Sequence, residues 1–492
     1  MNQIGPADAH YSLRSAVPNG KVPSSKLDWI LLAQFSVCVV PAMGLVALGN
    51  PYTGVRWFFT ILLLLLTRFL LTKNRLGFVS LLVSSIPTLM LLRGFFYYNA
   101  PIALLATGIV LWFIASPKEF SQLSRDVRSR WLFFLGGFYW LLSYLWTGQY
   151  FNNLRVLELV FSAASVYLLA RHREYLATAL IGISISAFST GLVSLTFSGE
   201  RLGSVYVDGY EIGNPISFGI PLALIFLLSI ADNGKWLLLE SHRYWRLSLG
   251  VASGALLILS ASRGSWAIVV VNVMVLLLIG RRQRGMLLVS IVLLALVTLV
   301  LLETQRGSSI VTFYERTFSP DRTLSQRSTG RSDQWLVFPR AFQDSPIWGF
   351  GPGSGNSVYG KYSTIDDREI RLRGYVAWHS LYLLVGIETG IIGLMALTLL
   401  LAPLLFRALT HQRLSGESVP LLGAVGFLVI GLSVTGMDAA SGVFLGLGSL
   451  SAKGKAAHRF HWERGMETPG LGSYRDRVAV VNPLVERKPS RL

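Results

Sequence analysis

The chain has 492 residues, 52% of them hydrophobic and only 14% charged, with a mean hydropathy of +0.52. A soluble domain carries about 25% charged residues, so that class is excluded and an integral membrane protein is indicated. The net charge of +18 reads as basic decoration of loops rather than as a nucleic-acid footprint, and the single cysteine, Cys38, excludes an internal disulfide.

Residues 1–26 are polar and too long before the first apolar run for a cleaved signal peptide. That run, 27–48, reads as a retained span. A helix needs about 20 apolar residues to cross the hydrocarbon core. Further spans are expected near 54–72, 76–92, 100–115, 131–147, 154–170, 175–197, 215–231, 247–261, 264–280, 286–302, 379–406, 419–436 and 441–452, the last of them short. Runs this apolar, without period-two alternation, are helices rather than barrel strands. The expected fold is therefore all-α, a polytopic bundle of 12–14 transmembrane helices.

Orientation is read from the basic residues. With the N-terminus in the cytoplasm, cytoplasmic loops and tail collect 29 Lys/Arg and the short external loops five: Arg56, Arg93, Arg155, Arg201 and Arg263. That contrast fixes the expected topology. The remaining ten lie in a polar interruption, 303–375, which also holds eight Asp/Glu. Loops of this size are uncommon unless they bind or react with something. The expected organisation is a cytoplasmic segment 1–26, helices over 27–302, a large external loop 303–375 with short interfacial helices, further helices over 376–452, and a basic cytoplasmic tail 453–492.

Four pieces fall on the external side. The first is Gly199-Glu200-Arg201-Leu202, followed by Gly213-Asn214-Pro215, where Asn caps and Pro opens a helix. The second is Ser260-Ala261-Ser262-Arg263-Gly264, a break at which Ser262 can cap the next helix. Arg263 there is either a snorkelling anchor or, with the free N–H groups of the helix start, an anion site.

The third piece is Gly330-Arg331-Ser332-Asp333-Gln334-Trp335, leading to Asp344-Ser345-Pro346-Ile347-Trp348-Gly349-Phe350-Gly351-Pro352-Gly353. Trp335, Phe338 and Phe342 recur at helical spacing and predict a short interfacial helix, with Arg331 and Arg340 on opposite faces. Its Gly/Pro run is a turn region and lacks the Lys-Ser/Thr of a phosphate-cradling loop.

The fourth piece is Trp378-His379-Ser380-Leu381-Tyr382, then Gly386-Ile387-Glu388-Thr389-Gly390. His379 is the only histidine expected outside. It is either structural or a group that takes a proton from a hydroxyl and returns it. Glu388, out of phase with it, is expected to be buried against an Arg of another span.

Several arginines with one histidine suit a diphosphate leaving group. Guanidinium forks stabilise the charge that develops on phosphate oxygens, and the imidazole activates an attacking sugar hydroxyl. Asp366-Asp367 is the competing, metal-binding candidate, weakened by Arg368 and Arg371 beside it. The metal-free route is preferred, and no cofactor is expected.

The ordered set resembles the O-antigen ligase and O-antigen polymerase superfamily over about 195–400. It comprises Arg201 with Gly213-Asn214-Pro215, Ser262-Arg263-Gly264, the run from Arg331 to Gly353, and His379-Ser380-Leu381-Tyr382 leading to Glu388. The resemblance implies a GT-C-like glycosyltransferase of the bacterial inner membrane, with a periplasmic active site and glycans linked to undecaprenyl diphosphate. Its partners would be that donor, a glycan acceptor, membrane lipids, a chain-length regulator and a flippase, with no nucleic acid. By analogy Arg201 and Arg263 hold the diphosphate, Arg331 or Arg340 assists from the loop, and His379 serves the acceptor. Asn214, Ser262, Ser380, Tyr382 and Glu388 are then supporting residues. Many members read His-Asn where this chain has His379-Ser380. A polymerase is the first expectation, a ligase the second. A lipid-linked glycan flippase or transporter is the alternative from another class, with Glu158 beside Arg155, and Asp438, as its few candidate charges.

Overall fold

The computed structural model describes residues 28–72, 74–92, 150–170, 172–197, 204–207, 210–213, 215–239, 242–279, 284–328, 331–363, 378–433 and 439–450. The expected spans 100–115 and 131–147, and also Arg201, Asn214, Asp366, Asp367 and Asp438, lie outside these residues.

The uncharged runs fold as helices: α1 (Trp29–Ala47), α2 (Pro51–Leu71), α3 (Arg75–Ser84), α4 (Ile86–Leu92), α5 (Tyr150–Leu169), α6 (Arg173–Phe197), α7 (Pro215–Ile230), α8 (Arg243–Ser260), α9 (Arg263–Ile279) and α10 (Arg284–Leu302). Caps set several starts. Asp28 accepts the Leu31 N–H at 2.9 Å to open α1, and Asn74 accepts that of Gly77 at 2.9 Å to open α3. The polar stretch then forms α11 (Gln305–Phe318), α12 (Leu324–Ser328), α13 (Arg331–Asp344) and α14 (Gly355–Tyr362). The chain closes with α15 (Leu381–Ser415), α16 (Val419–Ser433) and α17 (Ala439–Ser449).

Four described helices are long and apolar enough to cross a membrane, namely α1, α2, α6 and α15, and seven shorter apolar segments accompany them. The chain is an all-α integral membrane protein. Its only strands among the described residues are β1 (Ser204–Val207) and β2 (Tyr210–Gly213), an antiparallel hairpin pairing Val207 with Tyr210 and Ser204 with Gly213.

Two expected spans are broken. The run 76–92 splits at Ser85, because Pro87 has no N–H to donate and its ring blocks a continuous turn. Residues 381–406 form part of a longer helix, α15, interrupted at Gly390 with φ 63° and ψ −156°.

Packing divides inner from outer helices. In α17 every residue from Ala439 to Gly448 is buried. Gly442 and Gly446 allow α17 to lie directly on α5: a Cβ on Gly442 would stand 2.4 Å from the Leu159 carbonyl oxygen, and one on Gly446 2.7 Å from Val166 Cβ. Being enclosed by protein, α17 is shorter than a lipid-facing span must be. In contrast, α10 exposes Leu288, Val292, Leu296 and Leu299, and α15 exposes Ile391, Met395, Leu399 and Phe406. Such faces are stable against acyl chains and costly against water.

Candidate active site

The break between α8 and α9 places the first site residue. Ala261 takes a left-handed conformation (φ 46°) and ends α8. Ser262, buried, then accepts the Ser265 N–H at 3.4 Å and pairs its hydroxyl with that of Ser265 at 2.8 Å, so it caps α9. Arg263 is the first residue of α9, and its Nη1 donates to the Arg327 carbonyl. That carbonyl closes α12, while the Arg327 guanidinium braces the preceding turn through the carbonyls of Ser319 and Pro320 at 3.0 and 3.2 Å.

Ser328 accepts the Ser332 N–H at 3.0 Å and leads the chain into α13, which begins with Arg331. Three residues on, Gln334 lies on the same helix face. Its Oε1, buried, accepts the backbone N–H of His379 at 2.8 Å. Helix α13 thus carries a guanidinium and also positions the histidine.

Electrostatics tie Arg263, Arg331 and His379 together. Burial lowers the proton affinity of Arg331, and the neighbouring Arg263 lowers it further. Burial, then the charge of Arg331, pushes His379 down from 6.5 to about 4. His379 is therefore neutral at pH 7. The Nε atoms of Arg327 and Arg331 are buried with no hydrogen-bond partner among the described residues. An unmet buried donor costs roughly 1–3 kcal/mol, more when charged. Like-charged guanidiniums with donors to spare are chemically matched to a polyanion such as a diphosphate.

The remaining candidates have other surroundings. Ser380 donates to the Gly431 carbonyl at 3.2 Å and Tyr382 to that of Leu428 at 2.9 Å, so both strap the start of α15 to α16. Glu388 was expected to meet an Arg. The bonds described for it come from backbone amides of the glycine run, Gly355 at 3.2 Å together with Gly353. Trp378 Nε1 donates to the Gly355 carbonyl at 2.6 Å, and its ring stands edge-on to Tyr359. Residues 353–355 are thus held from both sides of His379. Arg340 is exposed on α13, half a helical turn out of phase with Arg331, and Phe338 stacks on Phe342 with centroids 5.2 Å apart.

Arg327 and Gln334 are the two residues the motif reading missed. Only the three-residue step from Arg331 to Gln334 within a helix, carried to the histidine it meets, would have singled out the latter.

A membrane-embedded helical protein in which Arg263, Arg331 and His379 interact electrostatically is thus defined. Residues 248–398 match the sequence profile of a family described as O-Antigen ligase, so this segment of the chain is similar to that family. The matched segment holds Arg263, Arg327, Arg331, Gln334, His379 and Glu388. No curated protein matches the chain.

Proposed function

We propose that the protein is a glycosyltransferase that polymerises undecaprenyl-diphosphate-linked oligosaccharide units into O-antigen or exopolysaccharide on the periplasmic side of the bacterial inner membrane. What supports this reading is that Arg263 bonds to the end of α12 just before Arg331, while Gln334, one turn after Arg331 on α13, holds the His379 backbone, all within the matched segment. In the reaction an acceptor sugar hydroxyl attacks the anomeric carbon of the donor. The new glycosidic bond forms as the bond to the diphosphate oxygen breaks, and the electron pair leaves with the diphosphate. His379 takes the hydroxyl proton and later returns it to the departing phosphate or to water. Arg263 and Arg331 hold the charge that develops on the leaving group. Arg201, outside the described residues, is proposed as a further diphosphate ligand, and the exposed Arg340 as a contact for headgroups or glycan.

The description of the matched family favours a second reading, transfer of a finished glycan to a lipid core. Donor chemistry is common to both, and only the acceptor differs. In a deletion strain, loss of the ladder of glycan lengths identifies a polymerase, and loss of surface attachment with the ladder intact identifies a ligase.

The direct test uses purified protein with an undecaprenyl-diphosphate oligosaccharide, read by product length. Arg263→Ala and His379→Ala should each lose about 10²-fold or more in rate while still reaching the membrane; wild-type rates in both would refute the assignment. Activity should persist in excess EDTA. A loss restored by Mg²⁺ would transfer the chemistry to Asp366 and Asp367.

A further inference from the structure

Part of the polar stretch 303–375 is tied directly into the interrupted helix α15. At Gly390 the backbone leaves the helical path, freeing two carbonyls before the break and two N–H groups after it. The chain between α13 and α14 meets all four. Phe350 N–H donates to the Ile387 carbonyl and Gly351 N–H to that of Glu388, each at 2.9 Å. In return, Ile391 N–H donates to the Pro346 carbonyl at 2.8 Å and Ile392 N–H to that of Ile347 at 3.4 Å. Contact is backbone to backbone: a Cβ on Gly390 would stand 2.3 Å from the Ile347 carbonyl oxygen, and one on Gly349 2.4 Å from the Glu388 carbonyl carbon.

The depth of this clasp follows from the sequence of α15. From Ile391 to Phe406 there is no charged residue, and Arg407 is the first after the break. Those sixteen residues rise about 24 Å at about 1.5 Å each, whereas the hydrocarbon core is about 30 Å thick. With Arg407 at one boundary, the break lies inside the core rather than above it. Irregular backbone survives at such depth only when its polar groups are met by protein, and here they are.

The side chains agree. Ile347 is 53% and Trp348 74% exposed, beside Ile391 at 49% and Ile392 at 43%. Together they prolong the exposed apolar strip of Met395 and Leu399 on α15. We propose that residues 346–350 form a bilayer-embedded clasp, with Ile347 and Trp348 seated among the acyl chains of the leaflet nearest Arg331 and His379. The occupant of this surface is lipid hydrocarbon, since Ile347 and Trp348 continue the exposed apolar face of α15. A lipid-borne substrate would then meet the site at its own depth.

Site-directed spin labelling tests this independently of any glycan assay. Cys38 is the only cysteine, and Ser in its place can keep the bond from Sγ to the Phe58 carbonyl. On a Cys38→Ser background in lipid nanodiscs, Trp348→Cys would carry a nitroxide, with Leu399→Cys as the lipid reference and Asp321→Cys as the aqueous one. Collision with oxygen should exceed collision with a water-soluble nickel chelate at position 348, as it does at 399. A profile like that of position 321 would overturn the proposal. So would shielding from both reagents, which would mean that protein, including a second copy of this chain, covers the surface. Ile347→Cys provides the same measurement should Trp348→Cys fail to fold.

Discussion

Donor binding should change the basicity of His379, and the change is measurable. In the protein alone, burial and then the charge of Arg331 hold the imidazole at about 4, against an ordinary 6.5. That displacement corresponds to about 3 kcal/mol against the protonated form. The acid limb of kcat/KM reports the free enzyme, so it should fall near 4. A diphosphate beside Arg331 brings negative charge, which favours imidazolium and raises its pKa. The acid limb of kcat, reporting the complex, should therefore lie higher. The donor in this way makes the base stronger only once it is bound. Arg331→Gln removes the smaller of the two depressing effects, so its kcat/KM limb should rise yet stay below 6.5 because burial remains. The assay is initial rate of glycan extension against pH at limiting and saturating donor. Coincident limbs in the wild type, or a kcat/KM limb that Arg331→Gln leaves in place, would refute the placement of diphosphate between these groups.

Gly390→Ala should lower the thermal unfolding midpoint in detergent, because a φ of 63° with ψ of −156° costs a side chain about 1–3 kcal/mol and its Cβ meets the Ile347 carbonyl; an unchanged midpoint would contradict the clasp geometry. Gln334→Leu should lower kcat by removing the acceptor of the His379 N–H, while Gln334→Glu restores the acceptor and raises the acid limb; equal behaviour of the two variants would make Gln334 a packing residue only. Glu417 is held down to about 2, first by the His411 side chain and then by Lys235. Its depressed pKa stabilises the fold fully above the ordinary 4.5, and that share is lost as pH falls from 4.5 toward 2. Glu417→Gln should flatten the dependence of melting temperature on pH across that window, and an unaltered slope would dismiss the cluster.

The helices were legible because a membrane span must be uncharged over its length, a signal that needs no tertiary context. Local chemistry likewise announced the Ser262 cap and the helix carrying Arg331. The interruption of α15 was not legible in the same way. Gly386, Gly390 and Gly393 look alike in sequence, and only the chain 346–351 laid against the break decides which glycine leaves the helix. The hairpin 204–213 was missed although Asp208-Gly209 is a known two-residue turn signal. Its strands are shorter than the apolar runs that dominate the reading. Glu388 was assigned an arginine because buried carboxylates are usually paired with charge; the glycine amides that bond to it could not be read from sequence, which cannot aim them.

The polar contacts also bear on whether Arg263 and His379 share one pocket, since the expected topology put both on one side by counting charges alone. At one end of the bundle Asp28 N–H donates to Thr178, Arg173 to the Lys235 carbonyl, Lys235 to Glu417, and the N–H of Ser418 to Asp232. These joins link segments that the basic-residue count groups together as cytoplasmic. Arg263 bonds to Arg327, and His379 to Gln334, in a separate set that draws only on segments grouped with the long polar stretch. The bonds named in the two sets share no residue. The Arg263–Arg327 and Gln334–His379 bonds tie α9 to α12 and α13 to the start of α15, so the proposed site of Arg263, Arg331 and His379 needs no rearrangement of these elements to assemble.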